Sequence, residues 1–301
     1  MHDTKFRGTT ALLLAALAAC VASPGWAGEQ TGINETRPLA ATGKLVVNNM
    51  AGTITVRGWD RNEVAITGTL GEDVEKLDIS GDAQNLSIVV RYPNRMHGHV
   101  DETELQLRVP ARAQLSLDAV SADISVTDTS GSIDAKSVSG DVQLVVGSGE
   151  IKASTVSGDL SVKAPAYKTS LNSVSGDLTA IGVRGAITAD TVSGDLSLDG
   201  GAFKTLKLQS VSGDLQLKLG LEDGGTLSAE TLSGNIGLRL AKATDAKLTM
   251  KTFSGDLHNG LASMRDGDEE THNLSTTLGN GRGQIDLHTF SGDIEVGAGK
   301  R

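Results

Sequence analysis

The sequence predicts an all-β fold, a single-stranded parallel β-solenoid (β-helix) with rungs of about 18–21 residues. Three observations predict it. A 12-residue unit centred on Ser-Gly-Asp recurs along most of the 301 residues. Apolar and polar residues alternate on both sides of that tripeptide, which is the period of a strand and not of a helix. Aromatic residues make up only 3% of the chain, so the core must be thin and filled by Val, Leu, Ile and Ala.

The unit is seen by setting Ile133-Asp-Ala-Lys-Ser-Val-Ser-Gly-Asp-Val-Gln-Leu144 against Ile151-Lys-Ala-Ser-Thr-Val-Ser-Gly-Asp-Leu-Ser-Val162. Further copies begin at Leu115, Thr169, Ile187, Leu206, Leu227, Leu248 and Ile285. An early one begins at Leu45 and carries Thr53 where the aspartate would stand. Each copy reads as two short strands around a corner, followed by a turn such as Lys163-Ala-Pro-Ala-Tyr-Lys168. The corners are Gly140-Asp141, Gly158-Asp159, Gly176-Asp177, Gly194-Asp195, Gly213-Asp214, Gly234-Asn235, Gly255-Asp256 and Gly292-Asp293. Glycine is expected there because it takes positive φ without steric cost. One rung cannot bury its apolar side alone, whereas parallel rungs stacked on each other can. The interval of 37 between Leu248 and Ile285 implies one degenerate rung or a long loop between them. A hexapeptide helix is excluded, because counting by six from Ile151 lands on Ser157 and Lys163. The calcium-binding nonapeptide pattern is excluded too, since nothing recurs nine residues from Asp159.

Outside the repeats, residues 1–27 have a charged start, a short apolar run and a polar end with small residues, the layout of a secretory signal peptide. Cleavage is expected after Ala27. The alternative is lipidation of Cys20, the only cysteine, in Leu17-Ala-Ala-Cys20. The apolar run from Ala11 to Ala22 is too short to cross a bilayer, so the mature chain is expected not to be transmembrane. Residues 28–42 read as a linker, 43–297 as the solenoid with loops near 91–104 and 258–283, and 298–301 as a tail. The expected location is the periplasm or cell surface of a bacterium, with a membrane-anchored lipoprotein as the alternative.

The formal net charge is −10, and no basic cluster follows the first eight residues. Nucleic acid is thereby excluded as a partner, because its binding depends on Lys and Arg neutralising phosphates. No catalytic residues and no cofactor are expected, since no Gly-x-Ser-x-Gly, P-loop or His-Glu-x-x-His motif is present. The sharpest chemical feature is the column formed by Asp123, Asp141, Asp159, Asp177, Asp195 and Asp214. Carboxylates about 5 Å apart in water repel by about 1 kcal/mol, so something must offset the repulsion. One reading is a column of bound cations, calcium first, held by Asp141, Asp159, Asp177, Asp195 and Asp214. The other is that each carboxylate accepts hydrogen bonds from backbone N–H groups at its corner. Asn235 stands in the same column and can make that bond without a charge, which favours the second reading and predicts no metal site. His97 and His99 with Asp101 and Glu102, and Asp266–Glu270 with His272, read as solvated loops.

The run of Val-Ser-Gly-Asp rungs resembles the bacterial family of adhesin-type β-strand repeats, a domain of unknown function. So do the entry strand Gly43-Lys-Leu-Val-Val-Asn-Asn, the sequence Gly58-Trp59-Asp60, and the ending Leu278-Gly-Asn-Gly281 before Thr289-Phe-Ser-Gly-Asp293. The resemblance implies an envelope-located, right-handed β-solenoid, and it supplies no catalytic residues. The expected function is therefore a non-catalytic, adhesin-like binding or structural scaffold whose partner is an envelope protein or a polysaccharide. A calcium-dependent module using the repeat aspartates and a polysaccharide-active β-helix enzyme are the alternatives.

Overall fold

Strict alternation drives the local structure: in Ile133-Asp-Ala-Lys, Ile133 and Ala135 are buried and Lys136 is exposed. The computed structural model describes residues 31–93, 100–147, 149–241, 244–261 and 272–299. The expected signal peptide, with Ala27 and Cys20, lies outside the described residues, as do His97, His99, Asp266–Glu270 and the last two residues of the tail. Every regular element described is a strand, and the 22 strands form one mostly parallel sheet coiled in a solenoid-like way. Ile133–Lys136 pairs with Glu150–Ser154, which pairs with Lys168–Asn172. After the corner, Val142–Val145 pairs with Leu160–Lys163, which pairs with Leu178–Ile181.

In this register like stacks on like. Leu86, Leu45, Leu115, Ile133, Ile151, Thr169, Ile187, Leu206, Leu227, Ile285 and Leu248 form one continuous ladder. Neighbouring ladders of Val, Leu, Ile and Ala complete a narrow core in which Phe203 is the one fully buried aromatic among the described residues. Each buried Leu or Ile there contributes about 1.5–3 kcal/mol.

The ladder shows that stacking order is not chain order at either end. Lys44–Trp59 lies between the later strands, with Asn85–Arg91 and Thr103–Pro110 on one side and Gln114–Thr127 on the other. At the far end, Gly283–Ser291 lies between Leu215–Ser233 and Ala246–Ser254. Both ends then finish in antiparallel strands. Lys76–Gly81 covers Asn85–Arg91, Glu63–Leu70 covers Thr103–Pro110, and Asn273–Leu278 covers Ala246–Ser254. Such caps shield the open edges that a stack of parallel strands would leave.

Three expectations need correction. Residues 31–38, expected in a linker, form a strand antiparallel to Glu63–Leu70. Its sequence gave no strand signal because Ile33 is its only apolar residue before Pro38. In the interval between Leu248 and Ile285, expected to hold a degenerate rung or a long loop, the described residues Asn273–Leu278 form a strand that runs back antiparallel along Ala246–Ser254. The expected loops near 91–104 and 258–283 begin and end inside strands, namely Asn85–Arg91 and Thr103–Pro110 for the first and Leu257–Asn259 and Gly283–Ser291 for the second, which also contains the strand Asn273–Leu278.

Candidate functional site

The corners carry the repeated chemistry, and each position has a separate role. Alternation places Ser137 and Thr155 inside the corner, where both are buried. The Ser137 hydroxyl accepts from the Gly140 N–H at 2.9 Å and donates to the Ala122 carbonyl of the adjacent rung at 3.2 Å. Thr155, Ser173 and Thr191 accept from Gly158, Gly176 and Gly194 in the same way. A buried hydroxyl so satisfied closes the bend without leaving an orphan N–H.

The glycines are required for a different reason from the expected one. Among the eight corners named above only Gly255 and Gly292 have positive φ, at 147° and 153°, joined by Gly52 of the early copy at 108°. At Gly140, Gly158, Gly176, Gly194, Gly213 and Gly234 the constraint is the neighbouring rung. A Cβ on Gly158 would overlap the Gly140 carbonyl, one on Gly176 that of Gly158, and one on Gly194 that of Gly176. The series continues through Gly213, Gly234, Gly292 and Gly255, each facing the carbonyl of the glycine stacked before it. Rungs stack at strand spacing, and at the corner that spacing leaves no room for a side chain.

The aspartates form a hydrogen-bonded ladder that joins rungs, where bonds within each corner were expected. Asp123 Oδ1 accepts from the Asp141 N–H at 2.9 Å, Asp141 from Asp159 at 2.9 Å, and Asp159 from Asp177 at 2.9 Å. Asp177 accepts from Asp195, Asp195 from Asp214, and Asp214 from Asn235. Asn235 Oδ1 then accepts from Asp293 at 2.9 Å, and Asp293 from Asp256 at 2.8 Å. The ladder follows spatial order through the displaced last strand. No group of three His, Cys, Asp or Glu side chains among the described residues is arranged to hold a metal ion. His258, His272 and His288 are not brought together with such a group.

The remaining corner position shows that an apolar residue type need not mean burial. Val in Val-Ser-Gly-Asp counts as apolar, yet it points outward. Period two from Ile133 through Ser137 puts Val138 on the outside, so the signal was present. Met50, Val120, Val138, Val156, Val174, Val192, Val211, Leu232, Phe290 and Phe253 form an exposed ridge along the stack. Exposure is 42% at Val156 and rises to 52% at Phe290 and 69% at Phe253. The two phenylalanine rings stack 4.7 Å apart with 6° between their planes.

The corner geometry changes along this ridge. From Gly213 onward the corner N–H donates to the next rung, as in Gly213 to Ser233 O and Gly234 to Ser291 O. The Ser210 and Thr231 hydroxyls are left buried without a partner among the described residues.

This architecture decides the family. A model of the Toastrack DUF4097 domain matches residues 42–297. The chain belongs to that family. No curated protein matches the chain. Among solved structures, a candidate lipid-binding protein of Parabacteroides distasonis is similar to this Toastrack chain at 14% identity and a TM-score of 0.53, covering 88% of this chain and 98% of its own. A candidate adhesin of the same organism aligns at 13% identity over 89% and 98% of the two chains, with a TM-score of 0.36. A candidate cell adhesion protein of Clostridium sporogenes aligns at 12% identity over 89% and 100%, with a TM-score of 0.22. At such identities the likeness of the Parabacteroides protein concerns the fold alone.

Proposed function

We propose that this Toastrack chain is a non-catalytic, adhesin-like binding scaffold of the bacterial cell envelope, with a right-handed coil and Val-Ser-Gly-Asp rungs of 18–21 residues. Export rests on residues 1–27, with maturation after Ala27 and Cys20 as the alternative anchoring point. The observation that carries the reading is the exposed ridge from Met50 to Phe253. Soluble monomers seldom expose contiguous apolar patches beyond a few hundred Å² without a binding role. A convex ridge seats in a groove, and the parallel column of aspartates supplies a rim of negative charge. The partner that fits is an envelope protein with an apolar groove bordered by Lys and Arg. The name of the Parabacteroides neighbour with a TM-score of 0.53, which speaks of lipid binding, agrees with a binding role.

The test measures binding of the mature chain to washed bacterial envelope fractions, intact or protease-treated, with and without EDTA. Replacing Val156, Val174 and Val192 together by Ser should weaken binding at least tenfold. Protease treatment should abolish it, and EDTA should leave it unchanged. Unchanged binding by the triple variant would remove the ridge from the function. Loss in EDTA would favour the calcium module, survival after protease a polysaccharide partner, and release of sugar fragments the enzyme.

A further inference from the structure

A second surface, remote in character from the ridge, lies on the outer sheet face near the N-terminal end. Arg57 and Arg108 stand directly side by side in register on parallel strands. Like charges so placed destabilise a sheet unless something lies between them. Arg57 Nε pairs with Asp128 at 3.0 Å, and Asp128 is the one non-glycine residue with positive φ among the described residues. Arg108 has no ion pair or hydrogen bond with any described side chain. One step further, Arg61 lies over the Trp59 ring, with its guanidinium carbon 5.1 Å from the ring centroid. The indole N–H donates to the Glu63 carbonyl at 2.9 Å, which fixes the ring. These residues line a concavity of about 480 Å³, floored by the small side chain of Ala65 and edged by Gln106. Three arginines and one carboxylate line it; Arg61 is paired with that carboxylate, Glu63, at 3.4 Å, which leaves Arg57 and Arg108 facing the concavity in a chain of net charge −10. The concavity at the corner beside Val211 is instead lined by Asp190 and Glu230 with no cation.

We infer that this concavity is a binding site for an acidic saccharide, a sugar ring bearing a carboxylate. The carboxylate would bridge Arg57 and Arg108, which offer planar donors suited to two-point contact. The sugar's C–H face would lie on Trp59, and Gln106 would bond its hydroxyls. The volume falls within the range of small-ligand sites. This inference goes beyond the ridge and does not depend on it.

Isothermal titration of the mature chain with tetragalacturonate tests it, with cellotetraose and inorganic phosphate as comparisons. Tetragalacturonate should bind at least tenfold more tightly than either, because each comparison offers only one of the two recognised features. Arg108→Gln should reduce that affinity at least tenfold while leaving the melting temperature unchanged or raised, since it relieves Arg57 of a like-charged neighbour. Trp59→Leu should weaken tetragalacturonate and leave phosphate unaffected. The triple ridge variant should bind tetragalacturonate as the parent does, which separates failure of this site from failure of the ridge. The inference is overturned if tetragalacturonate does not bind, if phosphate binds equally well, or if Arg108→Gln binds as the parent does.

Discussion

Replacing Asp159 by Asn and by Ala separates hydrogen bonding from charge in the aspartate ladder. Asp159 Oδ1 accepts from the Asp177 N–H at 2.9 Å, and its own N–H donates to Asp141 Oδ1 at 2.9 Å. Each flanking carboxylate repels it by about 0.8 kcal/mol in water, and roughly half of that survives at physiological salt. Removing the charge therefore relieves about 1 kcal/mol in total. A bond to a charged acceptor contributes about 1.5–3 kcal/mol and a neutral one about 0.5–1.5, so Asn forfeits about 1 kcal/mol of bond strength. The two changes cancel, and Asp159→Asn should be nearly neutral. Asp159→Ala loses the whole bond and recovers only the repulsion, for a net cost of about 1 kcal/mol. Thermal melts should place the Ala variant about 2–4 °C below the Asn variant, with EDTA changing neither. An Asn variant as damaged as the Ala one, together with a large loss of melting temperature in EDTA, would refute this account and install a cation column.

Three further outcomes concern the glycines and the Asp245–Arg282 pair. Gly158→Ala should cost about 3 kcal/mol or more, because its Cβ meets the Gly140 carbonyl and the stacked backbone cannot yield. Gly201→Ala, where a Cβ makes only ordinary contacts with Arg184 and Val183, should stay within about 1 kcal/mol of the parent in denaturant melts. Asp245 is held down to a pKa of about 2 by the side chain and then the backbone N–H of Arg282. Because the folded value is depressed, its contribution is full above the ordinary carboxylate range and is lost as pH falls from about 4 through about 2. An NMR titration should find that midpoint, Arg282→Gln should return it toward the ordinary range, and a normal midpoint in the parent would contradict the clamp.

Much of the fold was legible because two signals agree. Ile133 and Ile151 both begin alternating runs, and their spacing is the spacing at which the strands pair. The outward position of Val138 was also encoded, in the period-two run from Ile133 through Ser137. The role of Gly158 was not legible, since a local φ argument cannot foresee the carbonyl of a neighbouring rung. Placement of Gly283–Ser291 was invisible for a related reason: equal repeats match any neighbour, so periodicity holds no record of stacking order. The Arg57–Arg108 juxtaposition joins residues from separate strands whose pairing only the fold reveals.

The displaced strands at both ends bear on how the chain can assemble. A solenoid stacked in chain order can close behind the growing chain, rung upon rung. Here Ala246–Ser254 cannot reach its final neighbours until Gly283–Ser291, which arrives later, has slid between it and Leu215–Ser233. Lys44–Trp59 likewise waits for strands on both sides. Arg282, just before the late strand, pairs with Asp223 at 2.8 Å and with Asp245 at 2.8 Å, so it reaches a residue within Leu215–Ser233 and the residue just before Ala246–Ser254. The middle rungs can form while later residues are still being made, but the last seam is sewn only when Gly283–Ser291 has arrived, and Arg282 fastens it.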